Sequence, residues 1–143
     1  MLPPYYRDLG DLEISDDEAR IDVDRLEALL RGSYWAGERS REQIERSLQN
    51  SRCFGAYRKQ NGRMIGFCRV VTDYATFSWL TDVIVEEDAR GAGVGKALVE
   101  AAVSLPELQG VRMVLATRDA HGLYRQYGFE PLPHPEPWMI RPG

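Results

Sequence analysis

Metal-ligating and redox side chains are scarce in this sequence, which has two cysteines and two histidines among 143 residues. Two cysteines cannot make a disulfide framework for a chain of that length; the expected setting is a reducing cytoplasm, and no metal is expected. No run of roughly 18 apolar residues occurs, so no membrane-spanning helix is expected. The opening residues, MLPPYYRDLGDLEIS, lack the basic start and apolar stretch of a secretory leader. Positive charge is also short. Lys and Arg number 18 against 22 Asp and Glu, a net charge of −4 that argues against a nucleic-acid partner.

What is present is an ordinary globular mixture, 43% hydrophobic and 28% charged, which excludes long disorder, collagen-like repeats and coiled coils. The length suits one domain over residues 1–143, able to bury roughly two thirds of its unfolded surface. Charge is distributed unevenly. Residues 8–24 hold eight acidic side chains against Arg20 alone, a local −7 that leaves the rest of the chain at about +3. A mildly basic body suits a small polyanionic ligand better than a DNA backbone. The acidic stretch reads as a solvated face; near a binding mouth it would attract cationic amines.

Apolar periodicity at Val23, Leu26, Leu29 and Leu30 predicts a helix stopped by Gly32. Ser40-Arg41-Glu42-Gln43 is a capping box that starts a second helix, with Ile44 and Leu48 on its apolar face. Strands are predicted at 53–58 and 64–71 around the turn Gln60-Asn61-Gly62, and again from Phe77 to Val85. The glycine-rich stretch Arg90–Lys96 then opens a helix over 94–105, closed by Pro106. A buried strand is predicted from Val111 to Ala116, and a short helix capped by Asp119 runs to Tyr127, with Gly128 in the left-handed position. Prolines crowd the tail, where Trp138-Met139-Ile140 reads as a short last strand. Hairpins followed by strand–helix–strand–helix define a mixed α/β sheet.

A strand that runs into glycines and then a helix makes an anion site. The glycines turn backbone N–H groups inward, and the helix start adds partial positive charge. A P-loop needs glycine five positions before Gly95, where Arg90 stands, and Ser or Thr after Lys96, where Ala97 stands. A dinucleotide fingerprint needs glycine at 96 or 98, which are Lys96 and Leu98. What remains is Arg90-x-x-Gly93-x-Gly95, preceded by Val83-Ile84-Val85 and followed by Lys96-Ala97-Leu98. About 25 residues later comes Ala120-His121-Gly122-Leu123-Tyr124-Arg125-Gln126-Tyr127-Gly128-Phe129.

With these two segments, the sequence resembles the GNAT superfamily of acetyl-CoA-dependent N-acetyltransferases across residues 53–130. Arg90–Gly95 matches the first family hallmark and Ala120–Phe129 the second, in order and at the family's separation. The resemblance implies a GNAT-type α+β fold, with a mostly antiparallel central sheet flanked by helices. It implies that Arg90, Gly91, Gly93, Val94, Gly95 and Lys96 hold the pyrophosphate of acetyl-CoA. It also lays the pantetheine arm along Val83, Ile84 and Val85, with Thr117 and Ala120 as further cofactor contacts. Thr117 departs from the asparagine usual in the family, yet still carries a hydrogen-bonding side chain.

By the same resemblance Tyr124 is the catalytic acid. A phenol titrating near about 10 stays protonated at neutral pH and can donate to a departing thiolate. The competing reading is a half-buried packing tyrosine. Tyr127 reads as packing and His121 as a solvated side chain. Asp82, one residue before the apolar end of its strand, is the candidate base for the attacking ammonium; an Asp paired with a neighbouring Arg is the alternative. Tyr34 and Trp35, between the first two helices, form an aromatic wall for the acceptor or a cover for the core. Cys53 and Cys68 read as buried thiols, so no covalent acetyl-cysteine step is expected.

The resulting expectation is acetyl transfer to a small-molecule primary amine by direct attack in a ternary complex. Two other function classes fit: a non-catalytic acyl-CoA-binding sensor, and an acetylator of a protein or an aminoacyl-tRNA. Tyr124 counts against the first, and the acidic balance against the tRNA form of the second. The proline-rich tail with Trp138 offers a surface for a homodimer.

Overall fold

The computed structural model describes residues 3–143 and shows a six-stranded sheet in sequential order, antiparallel except at its last pair. β1 (Tyr6–Leu9) and β2 (Leu12–Ser15) form a hairpin around Gly10, whose φ of +81° suits the turn. The sequence reading missed this hairpin because its acidic residues suggested a solvated face. Glu13 accepts from Arg20 at 2.7 Å, Asp16 pairs with Arg52 at 2.7 Å and Asp8 with Lys59 at 2.7 Å. Asp22 caps α1 (Val23–Arg31), and Asp24 binds Arg41 of α2 (Arg41–Gln49) at 2.6 Å. Those carboxylates are engaged in folding, which leaves little free negative charge to draw in a cationic ligand.

α2 begins at the expected capping box, with Ser40 Oγ accepting from Gln43 N at 3.1 Å and Gln43 Oε1 from Ser40 N at 2.9 Å. β3 (Arg52–Arg58), β4 (Met64–Thr72) and β5 (Ser78–Val85) make the centre of the sheet, within a residue or two of expectation. Their alternation divides the core between two faces. On one, Leu26 and Leu30 of α1 and Ile44 of α2 cover Cys53, Tyr57, Phe67 and Ile84. On the other, α3 (Val94–Val103) lays Val94, Leu98, Ala101 and Ala102 against Phe54, Ala56, Ile65 and Val70. The product is a three-layer α/β/α domain.

Three predicted features differ. β6 is only Met113–Val114, half-buried, because its partner β5 is distorted a few residues beyond their contact. α4 is His121–Arg125; Asp119 does not cap it, and Thr117 Oγ1 instead accepts from Ala120 N at 3.1 Å. Residues 138–140 form no strand and lie exposed, since the surrounding prolines lack the donors a ladder needs.

α3 comes close to the sheet over Gly66. A Cβ there would sit 3.0 Å from Val94 Cγ1, 3.2 Å from Leu98 Cδ1 and 3.3 Å from Ala56 Cβ. Gly66→Val should therefore destabilise the protein by about 2–3 kcal/mol, because overpacking pushes the helix off the strand. Urea denaturation of the two proteins measures this, and a loss under about 0.5 kcal/mol contradicts the close contact.

Candidate functional site

β5 ends at Val85, and the chain reaches α3 through Arg90–Gly93. Gly91 and Gly93 have φ of +85° and +81°, a region that favours glycine, and no atom lies within 4 Å of where their Cβ atoms would be. α1 and α2 start under side-chain caps from Asp22 and Ser40, whereas α3 starts at Gly93 with no side-chain cap. The first-turn amides of α3 thus remain available to a ligand, and the helix start adds partial positive charge. They border a cavity of about 420 Å³ lined by Arg90, Gly91, Gly93, Gly95 and Lys96, with Val85 and Leu123 closing its sides. Val94 belongs to the same lining but is itself buried. The sequence-predicted anion residues therefore converge on one open, uncapped helix start. Such a site fits a phosphate-bearing ligand.

A bulge opens the second half of the site. Phe67 pairs with Ile84 and Arg69 with Thr81, so two steps along β4 oppose three along β5. Asp82 absorbs the extra residue at φ +55°. Beyond the bulge, Val83 and Val85 pack toward the α3 face and Ile84 toward the α1–α2 face. β6 pairs only with Ser78 and Trp79, so β5 diverges from it over 80–85. That diverging edge offers backbone groups to an extended ligand running from the glycine turn.

Tyr124, on α4, packs against the α3-side core, its ring edge-on to Phe129 with centroids 5.8 Å apart. Phe129 follows Gly128, whose φ of +88° turns the chain back beneath the tyrosine. Burial pushes the Tyr124 phenol up to about 12, with smaller upward contributions from Cys68 and Tyr34. Tyr124 thus stays a proton donor and lies within electrostatic reach of both β4 and the α1–α2 loop. Tyr127 is half-buried against the same core, and His121 is exposed.

Tyr34 and Trp35 stand edge to face at 5.0 Å, 53% and 40% exposed, in the loop joining α1 and α2. The Tyr34 hydroxyl accepts from Arg118 N at 3.0 Å, and the Arg118 guanidinium lies 3.9 Å from its ring centroid. The loop therefore reaches the segment that leads into α4. Thr117 and Ala120 occupy that segment, and the Thr117 oxygen is already used in the turn.

Asp82 is placed differently from a free base. Its Oδ1 accepts from the Trp35 indole at 2.8 Å, and its Oδ2 from Arg39 at 2.6 Å and Arg69 at 2.7 Å. Although burial opposes ionisation, the two guanidinium groups hold the carboxyl below the usual carboxylate range. A carboxylate so engaged is a weak proton acceptor, and its observed role is ion pairing. Sequence reasoning missed Arg39 and Arg69. The signal was there at Arg69, a cation between Cys68 and Val70 in an apolar strand, which requires a buried partner.

Strand edge, glycine turn and uncapped helix meet at one end of the sheet, and comparison with known proteins gives the family. The acetyltransferase (GNAT) domain model matches residues 49–131. A Gibberella zeae protein named as an acetyltransferase is 31% identical, across 85% of this chain and 80% of that relative. A crystal structure from Xanthomonas campestris pv. campestris, assigned to the GNAT family, is 38% identical with TM-score 0.89, covering 95% of this chain and 96% of that one. N-acetylglutamate synthase from Neisseria gonorrhoeae, solved with coenzyme A and N-acetyl-glutamate, shares the fold at TM-score 0.67 and 18% identity, over 84% of this chain and 28% of that one. The chain belongs to the GNAT family of acetyltransferases.

Neither thiol is placed for nucleophilic work. Both are buried and free; burial pushes Cys53 up to about 12 and Cys68 up further. A thiol-reactive chromophore at pH 8 should therefore label neither in the native protein within minutes and both in guanidinium. Fast native labelling of either thiol would contradict the packing.

Proposed function

We propose that this acetyltransferase transfers acetyl from acetyl-CoA to a primary amine by direct attack in a ternary complex. The observation that carries the reading is the buried Tyr124 in the same core cluster as Val83 and Val85 of β5, its phenol pushed up to about 12 by burial. The amides of Gly93–Lys96 and the Arg90 side chain hold the pyrophosphate, while Val83–Val85 align the extended arm. Acetyl-CoA supplies an acyl carbon activated by a thiol leaving group. Before attack, water takes one proton from the bound ammonium, since Asp82 is occupied, and the free amine then attacks. The amine nitrogen forms the new C–N bond as the C–S bond breaks, Tyr124 Oη gives its proton to the leaving sulfur, and the proton that the nitrogen sheds on becoming an amide restores the phenol through water. Tyr34 and Trp35 form the acceptor wall. The buried, high-pKa thiols favour direct attack over an acetyl-cysteine intermediate.

Tyr124→Phe should lower kcat by about 10²–10⁴ while calorimetry finds acetyl-CoA affinity unchanged. Thiol release is measured against a panel of alkylamines, diamines and amino-acid esters. If the wild type binds acetyl-CoA but turns over no amine, the chain is an acyl-CoA sensor.

The pH profile follows from the same chemistry. Only the free amine attacks, so kcat/KM should rise about tenfold per pH unit below the amine's pKa. The raised phenol is protonated below about 12, so no descending limb from Tyr124 is expected up to pH 10. A tyrosine limb near neutrality would exclude this role.

A further inference from the structure

Asp82 is the only buried acidic side chain among the described residues, and its backbone is in the left-handed region at φ +55°. A residue with a β-carbon keeps that conformation only when its surroundings over-determine it. Here they do. Arg69 reaches Asp82 from the neighbouring strand and donates also to Ser51 Oγ at 3.0 Å, which ties the carboxylate to the sheet. From the other side come Trp35 and Arg39, both in the segment between α1 and α2.

That segment has few apolar anchors of its own. Ala36 is buried, while Tyr34 and Trp35 are largely exposed. Its strongest ties are therefore polar: Trp35 and Arg39 to Asp82, and Tyr34 to the backbone of Arg118. The first tie fixes the loop to the strand expected to carry the thioester; the second fixes it to the approach to α4 and Tyr124. A loop held at both points has one position relative to the reacting groups.

We propose that Asp82 is a positioning residue, clamping Trp35 and Arg39 so that the 33–39 loop stands as a fixed acceptor wall opposite Tyr124. This rests on the proposed amine acetyltransfer only for its kinetic consequence. Without the clamp the wall becomes mobile, and the acceptor must order it on binding. Acceptor affinity is then lost, while the glycine turn and the phenol are untouched.

The test uses Asp82→Asn, Trp35→Phe and the double variant in the full chain. Asparagine tolerates the left-handed backbone but removes the charge and turns one acceptor oxygen into a donor; phenylalanine keeps an aromatic ring but removes the indole N–H and part of the ring area. In native-state hydrogen exchange, both single variants should speed exchange across 33–39 by about tenfold, with β3 and β4 unchanged. Acetyl-CoA affinity by calorimetry should stay within about twofold. With n-butylamine, 1,4-diaminobutane or lysine methyl ester, whichever the wild type acetylates, acceptor KM should rise about tenfold and kcat should change less than about threefold. The double variant should be no worse than the worse single one, because both break the same link.

Unchanged exchange over 33–39 in either variant overturns the clamp. So does a collapse of kcat in Asp82→Asn while Trp35→Phe behaves as wild type, since Asp82 would then be the base. If Asp82→Asn does not fold, Trp35→Phe carries the same expectations and the same refutation. If wild-type protein neither binds acetyl-CoA nor acetylates any amine, the functional reading fails, yet hydrogen exchange still decides the clamp.

Discussion

The extra residue in β5 is the constraint on which the rest of the site depends. A regular strand would keep alternating and would stay paired to β6 along its length. The bulge at Asp82 changes the faces to which β5 side chains point and accompanies the loss of pairing beyond Trp79. Two features accompany it: an unpaired backbone edge that leads to the glycine turn, and a carboxylate directed at the α1–α2 loop. The bulge itself is stabilised by the ion pairs that Asp82 makes, which tie strand geometry to the α1–α2 loop.

Helix capping divides structure from function in the same way. Where a helix start is purely architectural, as in α1 and α2, a side chain satisfies its amides. α3 forgoes that cap while burying Val94, Leu98, Ala101 and Ala102, so its position is fixed by packing rather than by its terminus. The close approach over Gly66 makes this packing tight enough to keep the exposed amides in place. A helix held only by its cap could not leave its end free for a ligand.

The electrostatics divide between surface and cleft. The acidic N-terminal stretch, which in sequence resembles a free negative face, is largely consumed by hairpin pairs and helix caps. One buried carboxylate serves two guanidinium groups, and the Tyr124 phenol is held protonated because burial disfavours phenolate. The raised phenol is therefore a product of apolar packing, whereas the α1–α2 loop is held by charge. These are separate devices, and they rest on different parts of the core.

Local patterns in the chain were enough to locate the central strands, the capping box of α2, the glycine turn, the left-handed Gly128 and the tyrosine ten-residue motif, because each depends on residues a few positions apart. The β1–β2 hairpin escaped because its carboxylates find partners far along the chain, in Arg52 and Lys59. β6 was overestimated because apolar character alone cannot reveal that a neighbouring strand bulges away. Asp82 shows the limit most clearly: its burial could be inferred from the strand around it, but its partners come from positions 35, 39 and 69. Spacing along the chain determined which residues could turn or cap. Only the folded sheet decided which of them meet, because ion pairing and burial act through space, and a one-residue bulge redirects a side chain without altering any local pattern.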